Sequence, residues 1–406
     1  MEETQKLKYC FGLEREVAED IIFEEILPRL PLKSIIRFKS VCKTWFNVIT
    51  HDPRFPVQHS KDPNRTNDTI SSGFFCAPSQ LFISGDEDQC YKFTWSQYQS
   101  QFMSSCKVLG SSNGLLYGTR YGNREIFICN PITKHIIHNI PYPKNGIDIA
   151  LASDPYNPNL GFTIVAIVAS HENYNDDLML LNFQVFSSKT REWQASKNNS
   201  GIWLPYFNSL LSRKNHAVFI GGKIYWFVTY HLSSIILWFD VDKEVWGVII
   251  CPDEAIGNYL IGFSDPSVHE KIGPCDGELS YSRIMGNTEI GIWLLREEDD
   301  EFMWVKKHRV NLTRVFEDNW NVILKTCLYP EKCIYQKKDV GSFASYVHAL
   351  PYLGGEDVWF TISLYAALPK VFLLNLRTNE LKLIKDDVVM EHPFYPFVPT
   401  LLPCPT

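Results

Sequence analysis

Gly221-Gly222-Lys223-Ile224-Tyr225-Trp226 and, one strand length further on, Asp240-Val241-Asp242-Lys243-Glu244-Val245-Trp246 make up the stretch whose reading decides the fold. Paired glycines supply the positive φ that a tight hairpin requires, and the aromatic and β-branched run after them reads as a strand. The second segment is a polar turn: an Asn, Ser or Asp, two residues, a Thr or Lys, two more, then a large apolar residue. That frame recurs as Asn130-Pro131-Ile132-Thr133-Lys134-His135-Ile136, Ser187-Ser188-Lys189-Thr190-Arg191-Glu192-Trp193 and Asn375-Leu376-Arg377-Thr378-Asn379-Glu380-Leu381. A longer acidic version runs from Glu297 to Glu301 and ends on Trp304. The glycine turn recurs as well, at Asn113-Gly114, Asp276-Gly277 and Gly354-Gly355, with Asn159-Leu160-Gly161 a less regular fifth.

Glycine turn and polar turn alternate, and the pair returns roughly every 55 to 80 residues. One antiparallel unit with two turns, repeated along a chain, is the sequence mark of a β-propeller. An all-β sandwich with irregular hairpins is the alternative. Five units are countable, and strand-like segments at Gly73–Phe82 and Phe397–Leu402 are placed to pair and close a sixth. The expectation for residues 74–406 is therefore a large all-β domain, a β-propeller of five or six irregular blades with negligible helix. Trp193, Trp246 and Trp304 hold equivalent places and are expected to fill the core between sheets. Loops that differ between repeats are the expected binding segments: 171–177, 196–201 and 327–341, the last with Lys332, Lys337 and Lys338.

Composition bounds the function. Of 406 residues 45% are hydrophobic and 21% charged, enough apolar surface to offset the entropy of ordering, which excludes a mostly disordered chain. The longest apolar runs, such as Ile164–Ala169, fall far short of the ~20 residues of a membrane helix, so no membrane association is expected. A net charge of −7 argues against nucleic acid as the main partner. No charged segment followed by an apolar one opens the chain, so no secretory signal is expected. The 11 cysteines are scattered without a CxxC and are read as reduced, buried side chains, which points to the cytoplasm or nucleus.

The first sixty residues differ from the rest. Ile22, Ile26 and Leu30, then Ile35 and Phe38, then Val41, Trp45, Val48 and Ile49 follow helical spacing. Pro28 and Pro31 end the first helix near Leu27, and Asp52-Pro53 closes the third. Residues 29–56 carry Arg29, Lys33, Arg37, Lys39, Lys43 and Arg54 against Asp52 alone, a face suited to solvent, to an acidic protein partner or to nucleic acid. The run Ile22-Phe23-Glu24-Glu25-Ile26-Leu27-Pro28-Arg29-Leu30-Pro31-Leu32 through Arg37-Phe38-Lys39-Ser40-Val41-Cys42-Lys43-Thr44-Trp45 resembles an F-box. It departs from that pattern in having Val17-Ala18 where a Leu-Pro pair usually stands. Downstream, Asn113-Gly114-Leu115-Leu116, Asn130-Pro131-Ile132-Thr133 and Phe397-Val398-Pro399-Thr400-Leu401 resemble the F-box-associated domains of plant F-box proteins, and more loosely kelch repeats.

These resemblances imply an organisation of F-box at 14–56, linker at 57–73 and propeller-like domain at 74–406. They imply a substrate-receptor subunit of an SCF-type ubiquitin ligase, docking through its F-box on a Skp-family adaptor and thereby a cullin, and holding a protein target. The implied adaptor-binding residues are Ile22, Ile26, Pro31, Leu32, Ile35, Val41, Cys42 and Trp45. That set mixes adaptor contacts with internal packing, and the sequence does not divide the two. A propeller scaffold or decoy outside any ubiquitin ligase is the alternative.

No catalytic constellation accompanies these features, and neither a cofactor nor a metal is expected. His135 and His138 sit three apart on a strand, so they face opposite sides. The acidic run Glu297–Glu301 lacks the glycine-punctuated spacing of a calcium loop and reads as a solvated hairpin tip. Gly110-Ser111-Ser112-Asn113-Gly114 has no lysine for a phosphate loop and precedes a strand.

Overall fold

The computed structural model describes residues 21–30, 32–52, 54–61, 73–76, 80–85, 90–120, 125–153, 161–170, 178–198, 201–205, 217–230, 233–252, 270–285, 288–298, 301–326, 347–362, 369–386, 394–402 and 404. The chain divides into two units, a small helical one over residues 1–70, with which 399–403 group, and a large one of sheets. Among the described residues no helix is long and apolar enough to cross a membrane.

In the helical unit a π-helical turn, Ile21–Ile26, runs into a 3-10 turn, Leu27–Arg29, at Pro28. Helices α1 (Leu32–Phe38), α2 (Lys43–His51) and α3 (Arg54–Lys61) follow. Helix α3 was not expected and runs into the stretch read as linker from residue 57. Asp52 ends one helix and starts the next: its N–H closes α2 on the Val48 carbonyl, while its Oδ1 accepts the Arg54 backbone N–H at 2.9 Å. The Arg54 guanidinium returns to the same carboxylate at 3.0 Å, holding its pKa below the usual range. Pro31 lies outside the described residues.

Six antiparallel sheets build the large unit. Blade 1 has β1 (Gly73–Cys76), β2 (Leu81–Ser84) and β3 (Tyr91–Lys92). Blade 2 has β4 (Cys106–Ser112), β5 (Leu115–Arg120), β6 (Glu125–Asn130) and β7 (His135–Pro141). Blade 3 has β8 (Gly146–Ser153), β9 (Phe162–Ser170), β10 (Leu178–Ser187) and β11 (Glu192–Ala195), with β12 (Ile202–Pro205) also on β10. Blade 4 has β13 (Val218–Ile220), β14 (Lys223–Tyr230), β15 (Ser233–Asp240) and β16 (Val245–Ile250). Blade 5 has β17 (Glu270–Cys275), β18 (Glu278–Met285), β19 (Glu289–Glu298) and β20 (Glu301–Asn311). Blade 6 has β21 (Val347–Ala349), β22 (Asp357–Ile362), β23 (Lys370–Asn375) and β24 (Glu380–Lys385). The sheets therefore form a six-blade β-propeller.

Blade 1 takes its fourth strand from the other end of the chain. Strand β25 (Phe394–Phe397) pairs antiparallel with β1, Gly73 opposite Phe397 and Cys76 opposite Phe394. The closing strand thus lies earlier than the expected Phe397–Leu402. Pro396 disguises it, yet β25 is an edge strand, where a residue without an N–H interrupts no second ladder. Side chains tie β25 to blade 2: the Tyr395 hydroxyl donates to the Val108 carbonyl at 2.6 Å, and the Ser111 hydroxyl donates to the Pro396 carbonyl.

The core is six clusters, each between two consecutive blades. On β8, Ile149 and Leu151 pack toward blade 2 whereas Ala150 and Ala152 pack toward blade 4. On β1, Phe75 joins the cluster with blade 2 and Phe74 the one with blade 6. Strand alternation sends successive side chains to opposite faces, and here both faces are buried. That explains why Ile164–Ala169 reads as an unbroken apolar run.

Both recurring turns have a physical basis. At Asn113-Gly114, Gly221-Gly222 and Asp276-Gly277 both residues have positive φ, the signature of the type I′ hairpin. In the polar turn the first side chain caps the chain that follows it. Asn130 Oδ1 accepts from the N–H of Ile132 and Thr133 (2.8 and 3.2 Å), and Asp240 and Asn375 repeat that pair. The fifth residue then turns left-handed, with φ of 61° at Lys134, 57° at Arg191, 53° at Glu244 and 57° at Asn379. Equivalent tryptophans lie half-buried on outer strands and reach back to the preceding blade. Trp193 donates its indole N–H to the Pro141 carbonyl at 2.8 Å, and Trp304 to that of Ile250 at 2.9 Å.

Helix is not negligible in this unit. Three short helices link or flank blades: α4 (Gln97–Ser104), α5 (Leu312–Asp318) and α6 (Trp320–Thr326). Helix α4 opens on a reciprocal capping box between Ser96 and Gln99, and α5 on the Asn311 side chain, which accepts the Arg314 N–H at 2.9 Å. Both signals stand in the sequence, overshadowed by the strand pattern around them.

Two outcomes follow for stability. Phe397 packs on Phe75, Phe82 and Phe93 at ring-centroid distances of 6.1, 5.9 and 6.1 Å, so Phe397→Ala should cost about 3–5 kcal/mol, read by urea denaturation. Gly222 has φ +81° with open space where a Cβ would stand. Gly222→Val should therefore lower the melting temperature through backbone strain alone, and Gly222→Asn should recover most of the loss.

Candidate functional site: an exposed apolar face on the helical unit

Trp45 organises the helical unit. It is fully buried, with the Phe38 ring 5.2 Å away at 84° and the Phe23 ring 6.2 Å away at 73°, both edge-on. Ile49 follows it at i+4 on α2, and Ile22, Leu27, Ile35 and Phe55 are buried too. Of the sequence-predicted residues, Ile22, Ile35 and Trp45 are therefore core, Leu32 and Cys42 are half-buried, and Ile26 and Val41 are exposed.

What remains outside is unusual. Of the ten large apolar side chains exposed among the described residues, five lie in this short unit: Ile21 (50%), Ile26 (43%), Phe46 (43%), Ile36 (41%) and Val41 (36%). Ile36 and Phe46 are each one position from a buried residue, Ile35 and Trp45, so their helices carry apolar residues beyond the stripe facing the core. Arg37, next to Ile36 in the sequence, and Lys43, three residues before Phe46, are exposed as well and add positive charge to the same helices. Ile21, Ile36 and Phe46 were missed in the sequence. The signal was present in adjacent apolar pairs, one member of which a thin helical unit cannot bury.

In the large unit, the predicted binding segments 171–177 and 327–341 lie outside the described residues. The described part of 196–201 is bound to its neighbour: the Lys197 backbone N–H donates to Glu244 Oε2 at 2.8 Å, and its ammonium pairs with Oε1 at 3.0 Å. His138 lies 5.5 Å from the Phe102 ring with Nδ1 2.7 Å from Asn139 Oδ1, while the His135 carbonyl accepts from the Cys404 thiol. No group of three His, Cys, Asp or Glu among the described residues is placed to hold a metal. The eight cysteines there are free thiols. Burial pushes Cys106 up to about 11 and Cys404 to about 12, away from nucleophilic character.

Comparison with known proteins gives the same division. A family model for the F-box domain matches residues 20–56, and one for the F-box protein At3g26010-like β-propeller matches residues 90–324, more than half of the chain. F-box protein At5g07610 of Arabidopsis thaliana is 24% identical over 357 residues, 82% of this chain and 80% of that protein. F-box protein CPR1 of the same plant is 22% identical over 340 residues, 78% and 76% of the two chains. F-box protein At3g26010, also from Arabidopsis thaliana, is 24% identical over 310 residues, 74% and 69%. With helical motif and six-blade ring both in place, this chain belongs to the F-box proteins that carry an At3g26010-like β-propeller.

Proposed function

We propose that the chain is a substrate-receptor subunit of an SCF-type ubiquitin ligase, working in the cytoplasm or nucleus. The exposed apolar set Ile21, Ile26, Ile36, Val41 and Phe46 carries this reading, because covering the part of each that is still exposed is worth on the order of 1 kcal/mol per side chain. The F-box docks that face on a Skp-family adaptor, which links it to a cullin. The flanking Arg37 and Lys43 favour an acidic adaptor surface. The propeller holds a protein target. The chain forms no thioester and needs no cofactor: its contribution is to raise the local concentration of target lysines around a charged conjugating enzyme. Core residues Ile22, Ile35 and Trp45 act on docking only through the shape of the helices.

Co-expression with a plant Skp-family adaptor and capture of the complex tests this. The wild-type chain should retain adaptor and, through it, cullin. Ile36→Glu with Phe46→Glu should weaken adaptor binding at least tenfold with a far smaller loss of stability than Trp45→Ala, since Ile36 is 41% and Phe46 43% exposed. Trp45→Ala should lose binding by a different route, a truncated core costing about 3–5 kcal/mol and visible as lost helical circular dichroism. A wild-type chain that captures no adaptor, or an unaffected double variant, would favour a propeller scaffold outside the ligase.

A further inference from the structure

The outer strand of a blade ends in a row of backbone N–H and C=O groups, a template for any extended chain unless something spoils it. Five blades spoil it. Blade 1 ends on the two residues of β3, and blade 3 splits its edge between β11 and β12, four residues each. The pairing of β7 with β6, of β20 with β19 and of β24 with β23 is broken by a shift of register, at Ile126/Ile128, Ile292/Trp293 and Val371/Phe372. Strands β20 and β24 also expose charge, Lys306, Lys307 and Arg309 on the one, Glu380, Lys382 and Lys385 on the other.

Blade 4 has none of these devices. Strand β16, Val245-Trp246-Gly247-Val248-Ile249-Ile250, holds no charge and no proline, and all six residues pair with β15 without a shift. Val248 is 40% and Ile250 67% exposed, and being two apart they share one side of the sheet. No described strand pairs with β16 on its other side. One bond fixes the direction of its backbone groups: the Ile250 carbonyl accepts the Trp304 indole N–H from blade 5 at 2.9 Å, so it points away from β15. In an antiparallel ladder the outward residues alternate with the inward ones, so the N–H and C=O of Trp246 and Val248 point outward too.

The surroundings decide what fits there. Val248 stands opposite Leu237 and Ile250 opposite Ile235 on β15, and both partners belong to the apolar cluster between blades 3 and 4. The exposed pair is thus the outward end of a buried stripe, and an apolar side chain placed beyond Val248 extends it. A second propeller is a poor occupant. Six residues at ~3.3 Å each make an edge of about 20 Å, one strand deep. Two rigid bodies meeting along it fall short of the roughly 1,200 Å² that a stable dimer buries. An extended segment escapes that limit, because it gains main-chain hydrogen bonds along its length and side-chain contacts at alternate residues.

We propose that β16 takes up an extended segment of the protein that the propeller holds, as a fifth strand of blade 4. The proposal rests on the target-holding role assigned above. The segment exchanges main-chain bonds with Trp246 and Val248 and lays apolar side chains, two residues apart, beside Val248 and Ile250. Proline fits at none of its bonded positions, and a charge on the side shared with Val248 and Ile250 loses water without gaining a partner. Trp304 marks the end of the ladder, because it already holds the Ile250 carbonyl.

The test uses the full chain and a random octapeptide library, followed by a fluorescein-labelled peptide of the selected sequence. Apolar residues should be enriched at least threefold at two positions two apart, with proline depleted. N-methylation of the peptide amides one at a time should weaken binding at least tenfold at every second position and less than threefold at those between, the mark of strand pairing. Ile250→Lys should weaken binding at least fivefold, and so should Val248→Pro, which removes only an outward N–H. Near-UV circular dichroism of both variants should match wild type; if either fails to fold, the N-methyl pattern, which needs no variant, decides. Tyr98→Lys, at an exposed aromatic on α4, should change nothing. No selected peptide, no alternation on N-methylation, or a folded Ile250→Lys that binds like wild type overturns the proposal. So does a wild-type dimer in light scattering that Ile250→Lys turns into a monomer, which assigns the edge to a second copy. Adaptor capture on the same preparations separates the two readings: capture without strand pairing refutes the edge alone, and no capture refutes the ligase role whatever the peptides do.

Discussion

Burial on both faces of every sheet is the constraint from which the large unit follows. A four-stranded sheet whose odd and even residues are both apolar has no stable existence alone, because each face needs a neighbour. Ile149 and Leu151 on one side of β8, and Ala150 and Ala152 on the other, need two different partners. Passing that demand from sheet to sheet has two outcomes, an open stack with exposed ends or a ring. The chain forms the ring, and it does so by bringing β25 to β1 so that Phe74 and Phe75 face blades 6 and 2. Outer strands, furthest from the axis, are the least covered, which is why their tryptophans are half-buried, and Trp193 and Trp304 use the indole N–H as a polar tie.

Not every tie between blades is apolar. Glu270 and Arg283 pair at 3.0 Å while nearly inaccessible, and Ser234 of blade 4 donates to the Glu270 carboxylate of blade 5. Burial raises the Glu270 pKa and the Arg283 charge works against that rise. A pair of this kind adds little net stability, but removing one member leaves an uncompensated charge inside. It therefore acts less as glue than as a condition: blades 4 and 5 pack only in an arrangement that keeps the three groups together.

Turn chemistry was the most legible level of the sequence, because a left-handed φ or a side-chain cap needs particular residues at particular offsets. Asn130, Ser187, Asp240 and Asn375 announced their hairpins, and the glycine pairs announced theirs. Strand ends and short helices were less legible. Pro396 concealed the closing strand, and the Ser96 capping box was read through as β structure. In the helical unit periodicity picked out Trp45 and Ile35, both buried, but it grouped Ile26 with Ile22 and Val41 with Trp45, pairs that the structure splits into one exposed and one buried member, and it passed over Ile36 and Phe46. Neighbouring apolar residues on a helix look alike until the register against the other helices is known. What separates them is how little volume three short helices enclose.

Ring closure through β25 also dictates an order of events during synthesis. Strand β1 leaves the ribosome among the earliest parts of the large unit, whereas β25 is the last strand among its described residues. At about 5–20 residues per second, the intervening chain takes on the order of tens of seconds to make. Throughout that interval Phe74 and its neighbours on blade 1 lack blade 6, and each newly made blade exposes one apolar face until the next arrives. The nascent chain is therefore a string of half-covered sheets with an open hydrophobic front. That front is prone to aggregation until the final strand docks, and a stop codon only slightly upstream of β25 leaves the ring with nothing to close it.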